Sequence, residues 1–282
     1  MAIVTAEKKR LNGQLAWILA DEWGYQTVLP CLEHSKSVTA NIGLLGTRVR
    51  GGKIAGYKWA NNRTKLMAAM LLSVDKPIYL VDVRRTGIGG QGSWGPNEFA
   101  NLIPNIMKER NKNHPPYSYI HLPIVAPENE LLVAWRTARK QLKDDKDKIA
   151  FYNRITPEKI AHLVKRIETG QPVEPENYLL WQVFKAHYKR YLSQENRLNI
   201  AVAFVEATAS RDGIVIFLCA EEYQPDFLQR TQEDQDQSYC HRYTLATQVA
   251  KQLASPEHSI KIHHFDLSHF REQWLKNEGV RL

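Results

Sequence analysis

Cysteine is scarce in this chain: 282 residues carry three. Cys31, Cys219 and Cys240 show no framework spacing and no C-x-x-C pair occurs. A disulfide scaffold is therefore excluded, and a zinc knuckle has no ligands in register. No window approaches the roughly 18–20 uninterrupted apolar residues that a bilayer span needs, so no membrane partner is expected. The opening, MAIVTAEKKRLNG, places its charges after a short apolar patch. That order is the reverse of a secretory leader, and a cytoplasmic location is the expectation. There is no internal repeat. With 43% hydrophobic and 24% charged residues, collagen-like and wholly disordered chains are set aside.

Positive charge is what the chain has in excess, a formal +8. A basic balance favours anionic partners, so an anionic small molecule or a nucleic acid is expected. Charge gathers at Lys8-Lys9-Arg10, Lys108 to Lys112, Arg136 to Lys143 and Lys185 to Arg190. The third cluster carries acids beside its bases and reads as a solvated helix face. The fourth, FKAHYKRYL, interleaves aromatics with bases, the footprint of a backbone-tracking, base-stacking surface. Against that, aromatics at helical spacing ordinarily face a core.

Residues 1–52 read as an N-terminal extension, with a helical opening from Leu15 to Trp23 followed by irregular chain. A turn-rich boundary follows at Gly43 to Gly52. From Lys53 the texture becomes α/β. KIAGY reads as a short first strand, and RTKLMAAMLLS has Leu66, Met67, Met70 and Leu71 at helical spacing. Ile78 to Val83 is a β-branched run suited to a buried parallel strand. NEFANLIPNIMKER predicts a helix with a kink or break at Pro104, and YSYIHLPIV another strand. Residues 128–205 are helical in pattern, with an insertion at about 140–195. Gly213 to Cys219 is an apolar strand, Tyr239 to Leu253 a helix, and Ser259 to His263 a last strand before a tail at 271–282. The expected fold is a Rossmann-like three-layer α/β domain over residues 53–270. Its sheet is mainly parallel, with helices on both faces.

In such folds ligands bind beyond the carboxyl ends of the strands. That rule selects Tyr57, Arg84, Arg85, His121, Cys219 and Glu221, with Cys240, His241 and Arg242 opening the following helix. A thiol in the first turn of a helix meets the positive end of the dipole, which favours thiolate. Cys240 is therefore a candidate nucleophile, with His241 and Arg242 beside it. Cys219 ends an apolar strand and is expected to stay protonated and inert. The two thiols are near enough in this architecture to form a dithiol or a Cys/His site, but without metal-type spacing no metal is assigned. Glu221 is a candidate general base. Arg84 and Arg85 suit bidentate binding of phosphate or carboxylate, with an ion pair to Asp82 or Glu221 as the alternative for Arg84. Gly87 to Gly92 matches G-x-G-x-x-G by letter. Ser93 to Pro96 intervenes before the helix, which rules out a nicotinamide site, and no other cofactor is named by the sequence. His258, His263, His264 and His269 read as surface or packing residues.

The order IAGY, LVDVRR, YIHLP, FLCAEE and CHR resembles the domain of unknown function family 488, over Lys53 to His263. LCAE with a later CHR is the most specific part. The loop between those two motifs is long here, and the segment after DVRR is glycine-rich. The resemblance implies the α/β core and assigns no activity. The residues themselves point to an enzyme acting on an anionic, nucleotide or nucleic-acid-related substrate, with Cys240, Glu221 and His241 for chemistry. Arg84, Arg85, Arg242, Tyr57 and His121 would bind the anion. The competing class is a non-catalytic nucleic-acid-binding module built on the basic insertion.

Overall fold

A computed structural model describes residues 6–11, 14–21, 24–29, 38–47, 49, 52–86, 94–129, 131–133, 177–219, 241–254 and 258–279. The strands are β1 (Ala6–Leu11), β2 (Gln14–Asp21), β3 (Gly24–Leu29), β4 (Val38–Gly46), β5 (Ile78–Asp82), β6 (Tyr117–His121), β7 (Ile214–Cys219) and β8 (His258–Phe265). The helices used below are α1 (Arg63–Leu72), α2 (Ile103–Arg110), α3 (Asn177–Leu192), α4 (Arg197–Ala209), α5 (His241–Leu253) and α6 (Leu267–Asn277). The chain divides into two compact units, Met1–Ala126 with Leu198–Leu282, and Pro127–Arg197.

The first unit holds a sheet in the order β1-β2-β3-β8-β4-β7-β5-β6. Its last five strands, from β8 to β6, are mutually parallel, and β1 to β3 add an antiparallel meander on the β8 side. β5 and β7 are central: β5 pairs with β6 and β7, and β7 with β4 and β5. All six residues of β7 are buried, as an unbroken apolar run requires when both faces are covered.

Alternation sorts the sheet into two faces. Leu45, Ile78, Leu80, Ile214, Ile216, Leu218 and Phe265 pack in one core with residues of α1, α2 and the start of α6. Ile42, Leu44, Val81, Val215, Phe217, Cys219 and Ile262, buried on the alternate positions, face the other way, where α5 packs on β4, β7 and β8. Right-handed crossovers explain the split: β4 to β5 and β5 to β6 step one way along the sheet, β7 to β8 the other. Gly43 is a point of close approach on the first face. A Cβ there would stand 2.7 Å from Phe265 Cε2 and 2.8 Å from Ile216 Cγ1.

Several expectations are corrected. Residues 6–46 supply four strands of the sheet rather than an extension with a helical opening, and Leu15 lies in β2. LAWILA fits either period by composition; pairing to both β1 and β3 decides it. The boundary expected at Gly43 falls inside β4, and Ile54 to Tyr57 form turns, closed by reciprocal hydrogen bonds between Asn61 and the backbone of Ile54. β6 stops at His121 because Pro123 has no N–H and opens a 3-10 turn. Pro104 does not break its helix. A π-helical turn, Glu98–Leu102, precedes it, with the Ile103 N–H donating to Glu98, which absorbs the donor that proline lacks. The stretch expected as a tail belongs in part to α6, where Leu275 is buried.

In the second unit, α3 buries Phe184, Tyr188, Tyr191 and Leu192, the ordinary fate of aromatics at helical spacing. Lys185 is only 7% exposed while Arg190 is exposed. The solvent-facing basic triplet that the nucleic-acid alternative needs at Lys185, Lys189 and Arg190 is not presented. Among the described residues no helix is long and apolar enough to cross a membrane.

Candidate functional site

β7 is a switch point. Its neighbours β4 and β5 lead to α1 and α2 on one face, whereas β7 leads to α5 on the other, the arrangement that leaves a crevice at the carboxyl edge. The ladder runs one residue past the strands there. The Val83 N–H donates to Leu218 at 3.0 Å and the Thr47 N–H to Cys219 at 3.1 Å. The first turn of α5 is pinned to the same edge: His241 Nε2 donates to the Val83 carbonyl at 3.2 Å, and Arg242 Nη1 to the Leu45 carbonyl at 2.9 Å. Both side chains are buried, Arg242 to 2% exposure. Helix start and strand ends are thus one assembly.

On the α1–α2 face, Asp82 gathers four hydrogen bonds. Arg84 Nε and Nη2 donate to its two oxygens at 2.8 and 2.6 Å, the Arg84 N–H at 3.0 Å and the Tyr119 hydroxyl at 2.8 Å. Arg84 Nη1 donates to the Trp94 carbonyl at 2.7 Å, and the guanidinium lies over the Phe99 ring at 5.4 Å. Burial opposes the Arg84 charge, but the Asp82 carboxylate outweighs it and the guanidinium is held above its ordinary value, with Tyr119 and Cys219 adding to the effect. Burial, then Asp82, pushes the Tyr119 hydroxyl well up, so it stays a donor. The bidentate fork expected to meet a substrate anion therefore serves Asp82, the ion pair that the sequence offered as its alternative. His121 joins the cluster by donating from Nε2 to the Arg84 carbonyl at 2.8 Å.

On the α5 face, the Cys219 sulfur lies 3.8 Å from His241 Nδ1. A backbone carbonyl only accepts, so the Val83 contact puts a proton on Nε2 and leaves Nδ1 as the acceptor in the neutral ring. Further along the sheet, β8 sends His263 and His264 to opposite faces, both as buried packing residues. His263 donates to Asn41 Oδ1 at 3.3 Å, and His264 meets the Tyr243 ring at 5.9 Å. Burial is the main cause that lowers both, to about 4 for His263 and about 3 for His264, with Lys261 and Arg242 the respective next contributors.

The carboxyl edge thus brings together Arg84, His121, His241 and Arg242 of the predicted residues. Arg85 is exposed. Tyr57 does not follow a strand; its ring meets Trp274 of α6 edge-on at 6.2 Å. Cys240, Glu221 and the glycine-rich stretch 87–93 lie outside the described residues. Asp82 and Tyr119 are site-edge groups that strand-end position alone did not select. The signal for Asp82 was its i, i+2 spacing to Arg84, which puts both on one side of an extended chain. Among the described residues no group of three or more His, Cys, Asp or Glu is placed to hold a metal ion. No family model, curated protein or solved structure matches the chain.

Proposed function

We propose that the protein is an enzyme acting on an anionic, nucleotide or nucleic-acid-related substrate at the carboxyl edge of the parallel sheet, as a distant member of the domain of unknown function family 488. One observation carries this reading. The ends of β4, β5 and β7 and the first turn of α5 meet at a switch point, with the guanidinium of Arg242 and the imidazole of His241 buried there against backbone carbonyls. Cation burial is costly, and a buried cation beside an imidazole at a strand-end crevice is characteristic of sites that receive negative charge. In this reading the positive edge draws in the substrate. The helix start stabilises developing anionic oxygens, and the groups next in sequence, Cys240 before His241 and Glu221 after the β7 strand, join His241 in the chemistry.

The resemblance supports the same place, because LVDVRR, LCAE and CHR are the segments that end β5, end β7 and open α5. The nucleic-acid-module alternative is weakened by the burial of Lys185. The test is ligand protection of Cys240: alkylate the full chain with and without inorganic phosphate or a nucleoside monophosphate, and quantify the Cys240 peptide. Protection that saturates supports the proposal. An identical rate at all phosphate and nucleotide concentrations contradicts it.

A further inference from the structure

We propose that Cys219 and His241 form a nucleophile–base pair, and that it takes an ester carrying a negative charge. This rests on the reading of the carboxyl edge given above and reverses the expectation that Cys219 is inert. Three features separate it from an ordinary buried thiol. The sulfur faces the one imidazole nitrogen that the Val83 carbonyl leaves without a proton, 3.8 Å away. That carbonyl orients the base, so nucleophile, base and orienting group are all present. The sulfur is carried on the last residue of a strand buried throughout and the base on the first residue of α5, so both are held by rigid elements. Finally, His241 and Arg242 both stand in the first turn of α5, at the positive end of its dipole. A negative charge on sulfur is favoured by that surrounding.

The chemistry balances with water as the only co-reactant. The S–H bond breaks as its proton passes to Nδ1, and the sulfur bonds to the carbonyl carbon or phosphorus of the ester. The C–O or P–O bond then breaks, and the imidazolium returns the proton to the departing oxygen. Water repeats the exchange, with Nδ1 taking its proton and the sulfur leaving as thiolate to be reprotonated.

Trypsin separates the two thiols, since cleavage at Arg211, Arg230 and Arg242 puts Cys219 and Cys240 on different peptides. The experiment is alkylation of the folded full chain with iodoacetamide and with the anionic iodoacetate across neutral pH, read peptide by peptide against a free-thiol peptide. The expected result is modification of Cys219 with a midpoint below the ordinary thiol value of about 8.5. The ratio of iodoacetate to iodoacetamide rate should exceed that of the free peptide several-fold. His241→Gln keeps an amide N–H for the Val83 carbonyl but has no base, and should return the Cys219 profile to that of a free thiol. The proposal is overturned if Cys219 is modified only in denaturant, or if its profile in the wild-type chain already matches the free peptide. The wild-type profile decides even if the variant fails to fold. Phosphate protection of the Cys240 peptide is read in the same digest, so loss of the Cys219 result with protection intact removes this pair and leaves the anion site standing.

Discussion

Two polar clusters flank the carboxyl edge on opposite faces of the same sheet, and they are built on different terms. On the α1–α2 face, Asp82 and Arg84 neutralise each other, and Tyr119, His121 and the Trp94 carbonyl take up further capacity. Every oxygen of Asp82 is used twice. On the α5 face, Cys219 and His241 share a single movable proton at sulfur-to-nitrogen contact distance. The first cluster is a fixed ion pair whose loss is structural; the second has little binding energy to lose and a protonation state that can change. Proximity to the strand ends is therefore insufficient to name a functional group. What the group's donors and acceptors are already doing decides it.

The largest expected effect is in acid, and it touches both faces. His263 sits on the Asp82 face and His264 on the Cys219 face, both neutral when folded and free to charge when unfolded. Because their folded values are lowered from 6.5 to about 4 and about 3, the unfolded state binds more protons below pH 6.5. The stability they contribute is full above that pH and is lost as pH falls through about 4 for His263 and about 3 for His264, on the order of several kcal/mol. Urea midpoints measured from pH 7.5 downward should fall in that window, and His263→Gln and His264→Gln should each flatten the fall, showing which face fails first.

Asp82→Asn comes next. It leaves the Arg84 charge buried without its partner, and a loss of about 3–5 kcal/mol is expected in chemical denaturation. A loss below about 1 kcal/mol would mean that the pair is not the closed cluster described. Tyr119→Phe removes one hydrogen bond to that carboxylate and should cost about 1.5–3 kcal/mol, measured by the same unfolding curve. The smallest effect belongs to the other face: Cys219→Ala should cost only about 1 kcal/mol while leaving no reactive thiol on its peptide. A stability loss as large as that of Asp82→Asn would erase the contrast between the clusters.

The central strands were legible because β5 and β7 are unbroken β-branched runs, and α1 because its apolar residues keep helical spacing up to Leu71. β4 was hidden by its own tight packing. Asn41 and Gly43 interrupt VTANIGLLG, yet Gly43 is there because Phe265 and Ile216 leave no room for a Cβ. The meander did carry a local signal. Asn12-Gly13 is the favoured dipeptide of a two-residue hairpin, and Leu11 pairs with Gln14 across it. Of the site, the strand-end positions of Arg84 and His121 and the helix-start position of His241 were readable from topology alone. The Cys219–His241 contact was not. It joins residues 22 apart and depends on where α5 begins and which way its first side chain turns, a packing outcome that no local pattern encodes. Tyr57 failed for the converse reason: its segment resembles a strand in composition but pairs with no strand among the described residues.

The most direct test of this contrast is the protonation of the His241 ring itself, observed by nitrogen-15 nuclear magnetic resonance of the labelled full chain. The account predicts that Nε2 is protonated throughout, held by the Val83 carbonyl, and that only the Nδ1 signal moves with pH and changes when Cys219 is replaced by Ala. A ring protonated at Nδ1 with a bare Nε2, indifferent to Cys219→Ala, would contradict it.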